Sequence, residues 1–304
     1  MEALIAVVGF LGAGKTALLK QLMENFINEG WNPFLVLNDY ENANMDAQQF
    51  ANQLDLKNIK ALSGSCICCS GIVELRNIVN RIPEREKGIT LIEANGTSDA
   101  CTLMEFLGVG INKKFLPPIQ ISVVNAKNWQ KRGEHNELES NQVQVSSLIV
   151  LSHVENITKE RKEKVIKELT VLNPSAKIIT KDTIDIKYLS ELSPINNKVE
   201  KIEHQKAHWA SCSVDLPILP NINCIEKICK HLPQNILRVK GCTNIKNEEK
   251  YTYFERTPDG NFFVRPFNGV PITGSKLLTI GPGSDPYILE KVIADSLEVK
   301  LLYK

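Results

Sequence analysis

The sequence predicts an α/β fold: a mostly parallel sheet flanked by helices, followed by a small α+β domain. Three observations carry this expectation. Ala3 to Val8 is a continuous apolar run, as a strand buried on both faces requires, and it leads through a glycine-rich stretch into apolar residues at helical spacing. Further short apolar runs recur and end in polar segments, the pattern of strands whose C-terminal ends border a ligand site. From about Ser190 to Gln205 the chain turns polar and charged around Pro194, a linker composition that separates a domain over 1–190 from one over 206–304.

A length of 304 residues is consistent with about two domains, and 43% hydrophobic with 23% charged residues describes an ordinary soluble globular chain. The formal net charge of +1 gives no electrostatic case for nucleic acid or a membrane surface, and no apolar run is long enough to span a bilayer. The N-terminus shows neither a basic region nor a cleavage site, so the expected location is cytoplasmic. In a reducing compartment, closely spaced members of the eight cysteines read as metal or redox chemistry rather than as bridges.

Gly9-Phe10-Leu11-Gly12-Ala13-Gly14-Lys15-Thr16 reads G-x-x-x-x-G-K-[ST], the phosphate-binding loop of P-loop nucleotide hydrolases. Gly9, Gly12 and Gly14, with Ala13, let the backbone curl round an anion and aim N–H groups inward. Lys15 is expected on the β- and γ-phosphates and the Thr16 hydroxyl on Mg²⁺. A glycine-rich turn with a surface lysine is the plainer alternative, and the strand before and helix after disfavour it. The helix is expected to stop at Gly30.

Pro33 to Leu37 forms the next strand, followed by a polar segment in which Asp39 and Asp46 are candidates to order against Mg²⁺ and the γ-phosphate; a solvated loop is the alternative. Ile59 to Leu62 is again strand-like and precedes Cys66-Ile67-Cys68-Cys69, after which Ile72, Leu75, Val79 and Ile82 mark a helical face with Ser70 as N-cap. Three thiolates at a helix start suit Zn²⁺ or a softer ion, and leave one tetrahedral position for water, a side chain or a partner. Small buried cysteines and a redox pair are the alternatives, although adjacent Cys68 and Cys69 match disulfide geometry poorly. Gly88 to Ile92 runs into Glu93, an acid placed to hold Mg²⁺, and Gly96 could donate its N–H to the γ-phosphate.

Ile119 to Val124 and Ser147 to Leu151 supply two more buried strands, with a polar segment containing Glu139 and Gln142 between them. Ser152-His153-Val154-Glu155 then stands where a guanine-recognition signature is expected. Glu155 is the candidate for the guanine N–H donors and Ser152 for the pocket wall, so GTP is the first reading and ATP the alternative. A charged amphipathic helix over Lys159 to Thr170 and a strand over Ala176 to Thr180 close the domain. Beyond the linker, strands are expected at His208 to Val214, Leu237 to Lys240 and Lys276 to Ile280. A hairpin is expected around Pro258-Asp259-Gly260, with helices at Ile225 to Leu232 and Pro286 to Leu297. Cys212, Cys224, Cys229 and Cys242 read as buried small hydrophobes, with Cys224, Cys229 and His231 as a second metal set to be checked.

Taken together, the loop from Gly9 to Thr16, Cys66-Ile67-Cys68-Cys69 and Glu93-Ala94-Asn95-Gly96 resemble the CobW-type GTPase metallochaperones, which group with the urease and hydrogenase nickel-insertion GTPases. The resemblance extends to Glu139-x-x-Gln142 and to Arg238-Val239-Lys240-Gly241. It implies a nucleotide-dependent metal chaperone or insertase. Lys15, Glu93 and Asp39 would be catalytic, with Mg²⁺ on Thr16 and Glu93, and zinc (cobalt or nickel as alternatives) on Cys66, Cys68 and Cys69. The implied partners are a client metalloprotein and, as in some relatives, a second copy of the chain. Gly64-Ser65, Ser146-Ser147 and Ser152-His153-Val154-Glu155 depart from the family pattern, as does the lack of a histidine-rich run. A non-hydrolysing metal sensor or store and a P-loop small-molecule kinase are the rival readings.

Overall fold

The computed structural model describes residues 1–38, 47, 49–62, 71–109, 111–112, 114–189, 191–194, 211–257, 260–267, 269–271, 274–281 and 283–297. They fall into two compact units, one built on the first seven strands and one on the last five.

The first unit is a parallel sheet in the order β3-β2-β4-β1-β5-β6-β7. Its strands are β1 (Ala3–Val8), β2 (Asn32–Asn38), β3 (Ile59–Leu62), β4 (Gly88–Glu93), β5 (Ile119–Asn125), β6 (Leu148–Ser152) and β7 (Lys177–Thr180). The helices are α1 (Lys15–Asn28), α2 (Gly71–Arg81), α3 (Ala100–Gly108), α4 (Asn136–Gln144), α5 (Lys159–Leu172) and the short α6 (Ile186–Leu189). Central strands β1, β4, β5 and β6 are almost wholly buried, which is why their sequences are runs rather than alternations. Leu75 and Val79 of α2 and Leu103 and Leu107 of α3 cover one face, against Ala6, Val8, Phe34, Val36 and Ile92. Val165 and Leu169 of α5 close over Val124, Ile149 and Leu151.

Gly30 ends α1 as expected, through the left-handed conformation at φ 73°. Trp31 N donates to Phe26 O (2.9 Å) and Gly30 N to Ile27 O (3.0 Å), and the Phe26 and Trp31 rings meet edge-on at 6.0 Å. This is the paired-bond helix stop that a glycine permits.

The second unit is an antiparallel sheet in the order β11-β10-β9-β12-β8. Its strands are β8 (Ser211–Asp215), β9 (Arg238–Thr243), β10 (Thr252–Arg256), β11 (Phe262–Pro266) and β12 (Lys276–Ile280). Helices α7 (Asn223–His231) and α8 (Pro286–Ser296) pack Ile225, Ile228, Leu289 and Ile293 against Val214, Val239, Phe254 and Leu277. Asp285 caps α8 by accepting from Ile288 N (3.2 Å), with Pro286 in the first turn. The β9 strand runs through Gly241 rather than ending before it. Gly241 pairs with Phe254, whose ring occupies the space a Cβ would need, 2.1 Å from Cζ. Here the glycine is a seat for a cross-strand ring, not a strand terminator.

Three helices of the first unit, α3, α4 and the short α6, have no counterpart among the expected elements. Among the described residues, no helix is long and apolar enough to cross a membrane.

Candidate functional site

The phosphate loop joins β1 to α1 and takes its shape from three glycines. Gly9 (φ 147°) lies against β5, where an added Cβ would sit 2.4 Å from Val123 O. Gly12 (φ 74°) and Gly14 (φ 94°) turn the chain through conformations that L-residues resist. Gly14 is the N-cap of α1 and brings no side-chain cap, so the first-turn N–H groups face the loop's concavity. Ala13 N donates to Phe10 O (3.0 Å), which closes the curl. Lys15 is only 6% exposed and its Nζ donates to Gly9 O at 2.8 Å, keeping the ammonium over its own loop.

Thr16 and Glu93 meet at the end of the sheet. The Thr16 hydroxyl donates to Glu93 Oε1 at 2.9 Å, joining the first turn of α1 to the end of β4. Both groups are hard oxygen donors beside a phosphate loop, and as a donor set they fit Mg²⁺. Glu93 is placed by the parallel register Val7↔Glu93 and Leu37↔Glu93. Gly96 follows in the next turn and touches the loop itself: a Cβ on it would lie 2.5 Å from Leu11 Cδ2 and 2.8 Å from Leu11 N. Gln142 Nε2, on α4, donates to Gly96 O and Ser98 O, both at 3.1 Å. Its neighbour Asn141 accepts from Ala100 N (3.2 Å) and so holds the start of α3. Thus α4 grips the Glu93–Asp99 turn with side chains that sequence reading had left without a role.

On the other flank, the Ser152 hydroxyl lies 2.7 Å from Ala13 O and 3.2 Å from Val124 O. It has one proton and faces two carbonyls, so its visible work is to tie β6 to the phosphate loop. His153 follows at φ 54°, a left-handed conformation unusual for a residue with a Cβ. Glu155 is exposed, and its Oε1 accepts from Asn156 Nδ2 (3.0 Å).

Phe10 carries a second polar cluster. The Arg132 guanidinium lies 4.9 Å from its ring centroid, and His135 stacks on the same ring at 6.1 Å. Burial holds the His135 pKa below its usual value. Glu139, 3% exposed, accepts from Gln130 N (2.8 Å) and stands 3.9 Å from Arg132 Nε. Burial pushes its carboxyl up from 4.5 to about 7, against the opposing pull of the Gln130 N–H, Arg132 and Arg161.

Asp39, Asp46, Cys66, Cys68 and Cys69 lie outside the described residues. Among the described residues, no group of three His, Cys, Asp or Glu side chains is placed to hold a metal ion, which removes Cys224, Cys229 and His231 as a second set. Cys212, Cys224, Cys229 and Cys242 are buried thiols outside any disulfide, and burial pushes the thiols of Cys229 and Cys242 up to about 12. They are inert core residues.

Two outcomes follow from this geometry. Gly96→Ala forces its methyl against a phosphate-loop N–H, so nucleotide affinity should fall about tenfold or more by titration, with far-UV circular dichroism unchanged. Glu139 binds its proton more tightly folded than unfolded, so its stabilising contribution is complete below about pH 4.5 and is lost as pH rises through about 7. Between pH 4.5 and 8 the wild type should therefore lose roughly 3 kcal/mol relative to Glu139→Gln in denaturant unfolding; parallel profiles would contradict this.

The sequence is similar to that of known proteins. The zinc chaperone YjiA of Escherichia coli (strain K12) is 23% identical over 276 residues, covering 83% of this chain and 85% of that protein. The zinc-regulated GTPase metalloprotein activator 1 of Dictyostelium discoideum is 23% identical over 209 residues, 56% of this chain and 44% of that protein. Among solved structures, Zn(II)-bound YjiA GTPase from E. coli aligns with a TM-score of 0.43 at 18% identity, covering 97% of this chain and 98% of that one. HypB from Helicobacter pylori in complex with nickel aligns with a TM-score of 0.39 at 16% identity, covering 62% and 82%. Likenesses that loose carry no detail of a site. Residues 3–180, from β1 through β7, match the family described as CobW/HypB/UreG, nucleotide-binding domain, and the chain belongs to that family.

Proposed function

We propose that this chain is a GTP-hydrolysing metal chaperone or insertase that passes a transition metal, zinc in the first instance, to a client metalloprotein. The observation that carries the reading is the Thr16–Glu93 hydrogen bond at the mouth of a glycine-built phosphate loop, inside a domain of the CobW/HypB/UreG family. The two curated relatives, a zinc chaperone and a zinc-regulated GTPase metalloprotein activator, support the cargo. The position of Cys66-Ile67-Cys68-Cys69, in the connection between β3 and α2, supports the same cargo.

In this reading Lys15 leaves Gly9 O and turns to the β- and γ-phosphate oxygens, while the first-turn N–H groups of α1 hold the phosphate chain. Thr16 and Glu93 would hold Mg²⁺, which would neutralise charge developing on the phosphates. Gly96 packs against the loop, where its N–H would bind a γ-phosphate, and Asp39 would order against Mg²⁺ and that γ-phosphate. Gln142 holds the Gly96 carbonyl, so a change at the γ-phosphate would be felt by a turn that is tied to α4. The thiolates of Cys66, Cys68 and Cys69 carry the metal on the connection between the Asp39 and Glu93 segments. Triphosphate and metal then each change the affinity for the other by the same factor. The nucleobase is guanine; Ser152 and Glu155 are the residues proposed to line its pocket.

Hydrolysis of GTP and of ATP, each with and without Zn²⁺, tests this on wild type, Lys15→Ala and the triple variant Cys66→Ser/Cys68→Ser/Cys69→Ser. The expected result is GTP hydrolysis that zinc alters in wild type but not in the triple variant, and no nucleotide binding by Lys15→Ala. Tight zinc binding without hydrolysis of either nucleotide would replace the reading with a sensor or store.

A further inference from the structure

The phosphate loop is gripped at Phe10 by a cluster that the proposed function leaves without a role. Phe10 is 1% exposed, and its backbone carbonyl accepts the Ala13 N–H that closes the curl of the loop (3.0 Å). Its ring faces the Arg132 guanidinium at 4.9 Å and stacks on His135 at 6.1 Å, with 27° between the ring planes. A cation held over a ring away from water is attracted by the ring's quadrupole, so Phe10 has a preferred position relative to Arg132. A displacement of Arg132 is therefore passed to the first turn of the loop.

Arg132 is itself set by α4. Its N–H donates to Asn136 Oδ1 (2.8 Å), and Glu139 Oε1 stands 3.9 Å from its Nε, with the two side chains 7% and 4% exposed. The other Glu139 oxygen accepts from Gln130 N (2.8 Å), and the Gln130 amide donates to Asn136 O (3.0 Å) and Ser140 Oγ (2.9 Å). From α5, Arg161 donates to Ala126 O (3.1 Å) and Trp129 O (2.7 Å). Two helices thus pin the segment after β5 through hydrogen bonds, and the adjustable contact is the long one between Glu139 and Arg132. At 3.9 Å it is an ion pair and not a hydrogen bond, so its strength depends on whether Glu139 is charged.

We propose that Arg132 is a positioning residue for the phosphate loop and that the charge on Glu139 sets how firmly it acts. The ionised carboxylate draws the guanidinium into place, the guanidinium and His135 fix the Phe10 ring, and the fixed ring holds the loop in the curl that receives a triphosphate. The neutral acid relaxes this chain of contacts. The inference deepens the proposed function, since it concerns the same loop, and rests on it.

Burial raises the Glu139 carboxyl to about 7, so both forms are populated near neutrality. The charged groups bearing on it are Arg132 from the segment after β5 and Arg161 from α5, and both favour the ionised form. His135, 3.6 Å from Glu134, also faces Arg132; burial keeps its pKa below 6.5, so between pH 7 and 8 its charge changes little. Lys164, Lys167 and Glu168 of α5 border a groove with Ser140 and Gln144, and Cys101 of α3 meets Asn141, at other positions of α4.

Mg²⁺·GTP affinity of the full chain is titrated at about pH 6 and about pH 8 for wild type, Glu139→Gln, Arg132→Lys and Phe10→Leu, with melting temperatures alongside. Glu139→Gln mimics the neutral acid at every pH, and its ratio to wild type cancels the titration of the nucleotide itself. The two should bind alike at pH 6, and wild type should bind about fivefold tighter at pH 8. Wild type should then release protons on binding at pH 7 that Glu139→Gln does not, read by calorimetry in buffers of different ionisation enthalpy. Arg132→Lys keeps the cation without the planar face, and Phe10→Leu keeps an apolar side chain without the ring; each should show the pH dependence of Glu139→Gln. If Glu139→Gln does not fold, the ratio of wild type to Arg132→Lys decides in its place. A ratio equal at the two pH values, or larger at pH 6, overturns the inference whatever the melting temperatures, and leaves the proposed function standing. A wild type that binds no nucleotide at either pH defeats the proposed function and the inference with it.

Discussion

The hydrogen bond from Thr16 to Glu93 spans 77 residues of sequence and joins the two halves of the phosphate site. It can form only because β1 and β4 are neighbours in a parallel sheet with Val7 opposite Glu93, which brings both strand ends to the same edge. The glycines serve that constraint. Gly9 lets the loop leave β1 hard against Val123 of β5, and Gly96 lets the turn after β4 touch Leu11. A side chain at either position would push apart the segments that Thr16 and Glu93 draw together.

The site is also held from behind by polar side chains. Gln142 reaches the Gly96 and Ser98 carbonyls, Asn141 the start of α3, and Ser122 and Gln120 the carbonyl of Gln142 itself. Asn173 Nδ2 shares its two protons among the carbonyls of Val143, Gln144 and Ser146 at the end of α4. In a low-dielectric interior such a network has few alternative arrangements, so α4 is held rigidly relative to the turn it grips. On the same helix Glu139 contacts the Phe10 cluster through Arg132, so one element touches the phosphate loop and the Glu93–Asp99 turn together.

Much of this was legible in the sequence, for identifiable reasons. A continuous apolar run gave β1 at its observed bounds, because a strand buried on both faces admits little else, and β3 and β12 also stand at their expected bounds. The phosphate loop and Glu93 were legible because motif and flanks agreed. By contrast, α4 was read as a polar segment, since Glu139, Asn141 and Gln142 are among its buried residues and hydrophobic periodicity is silent for a polar buried face. The sequence does carry a signal for α3, since Asp99 caps it, accepting from Thr102 N at 3.2 Å. The sequence places Ser152 only by its position in the chain; that its hydroxyl also reaches the phosphate loop depends on the pairing of β5 with β6.

The central claim is that Thr16 and Glu93 form one cation seat that locks the phosphate loop to the sheet edge. Its most direct test is GTP affinity measured with Mg²⁺ and with EDTA, for wild type and for Thr16→Val, which keeps the side-chain shape and removes the hydroxyl. Mg²⁺ should tighten GTP binding in wild type and have little effect in the variant. An equal Mg²⁺ effect in both proteins would contradict the claim.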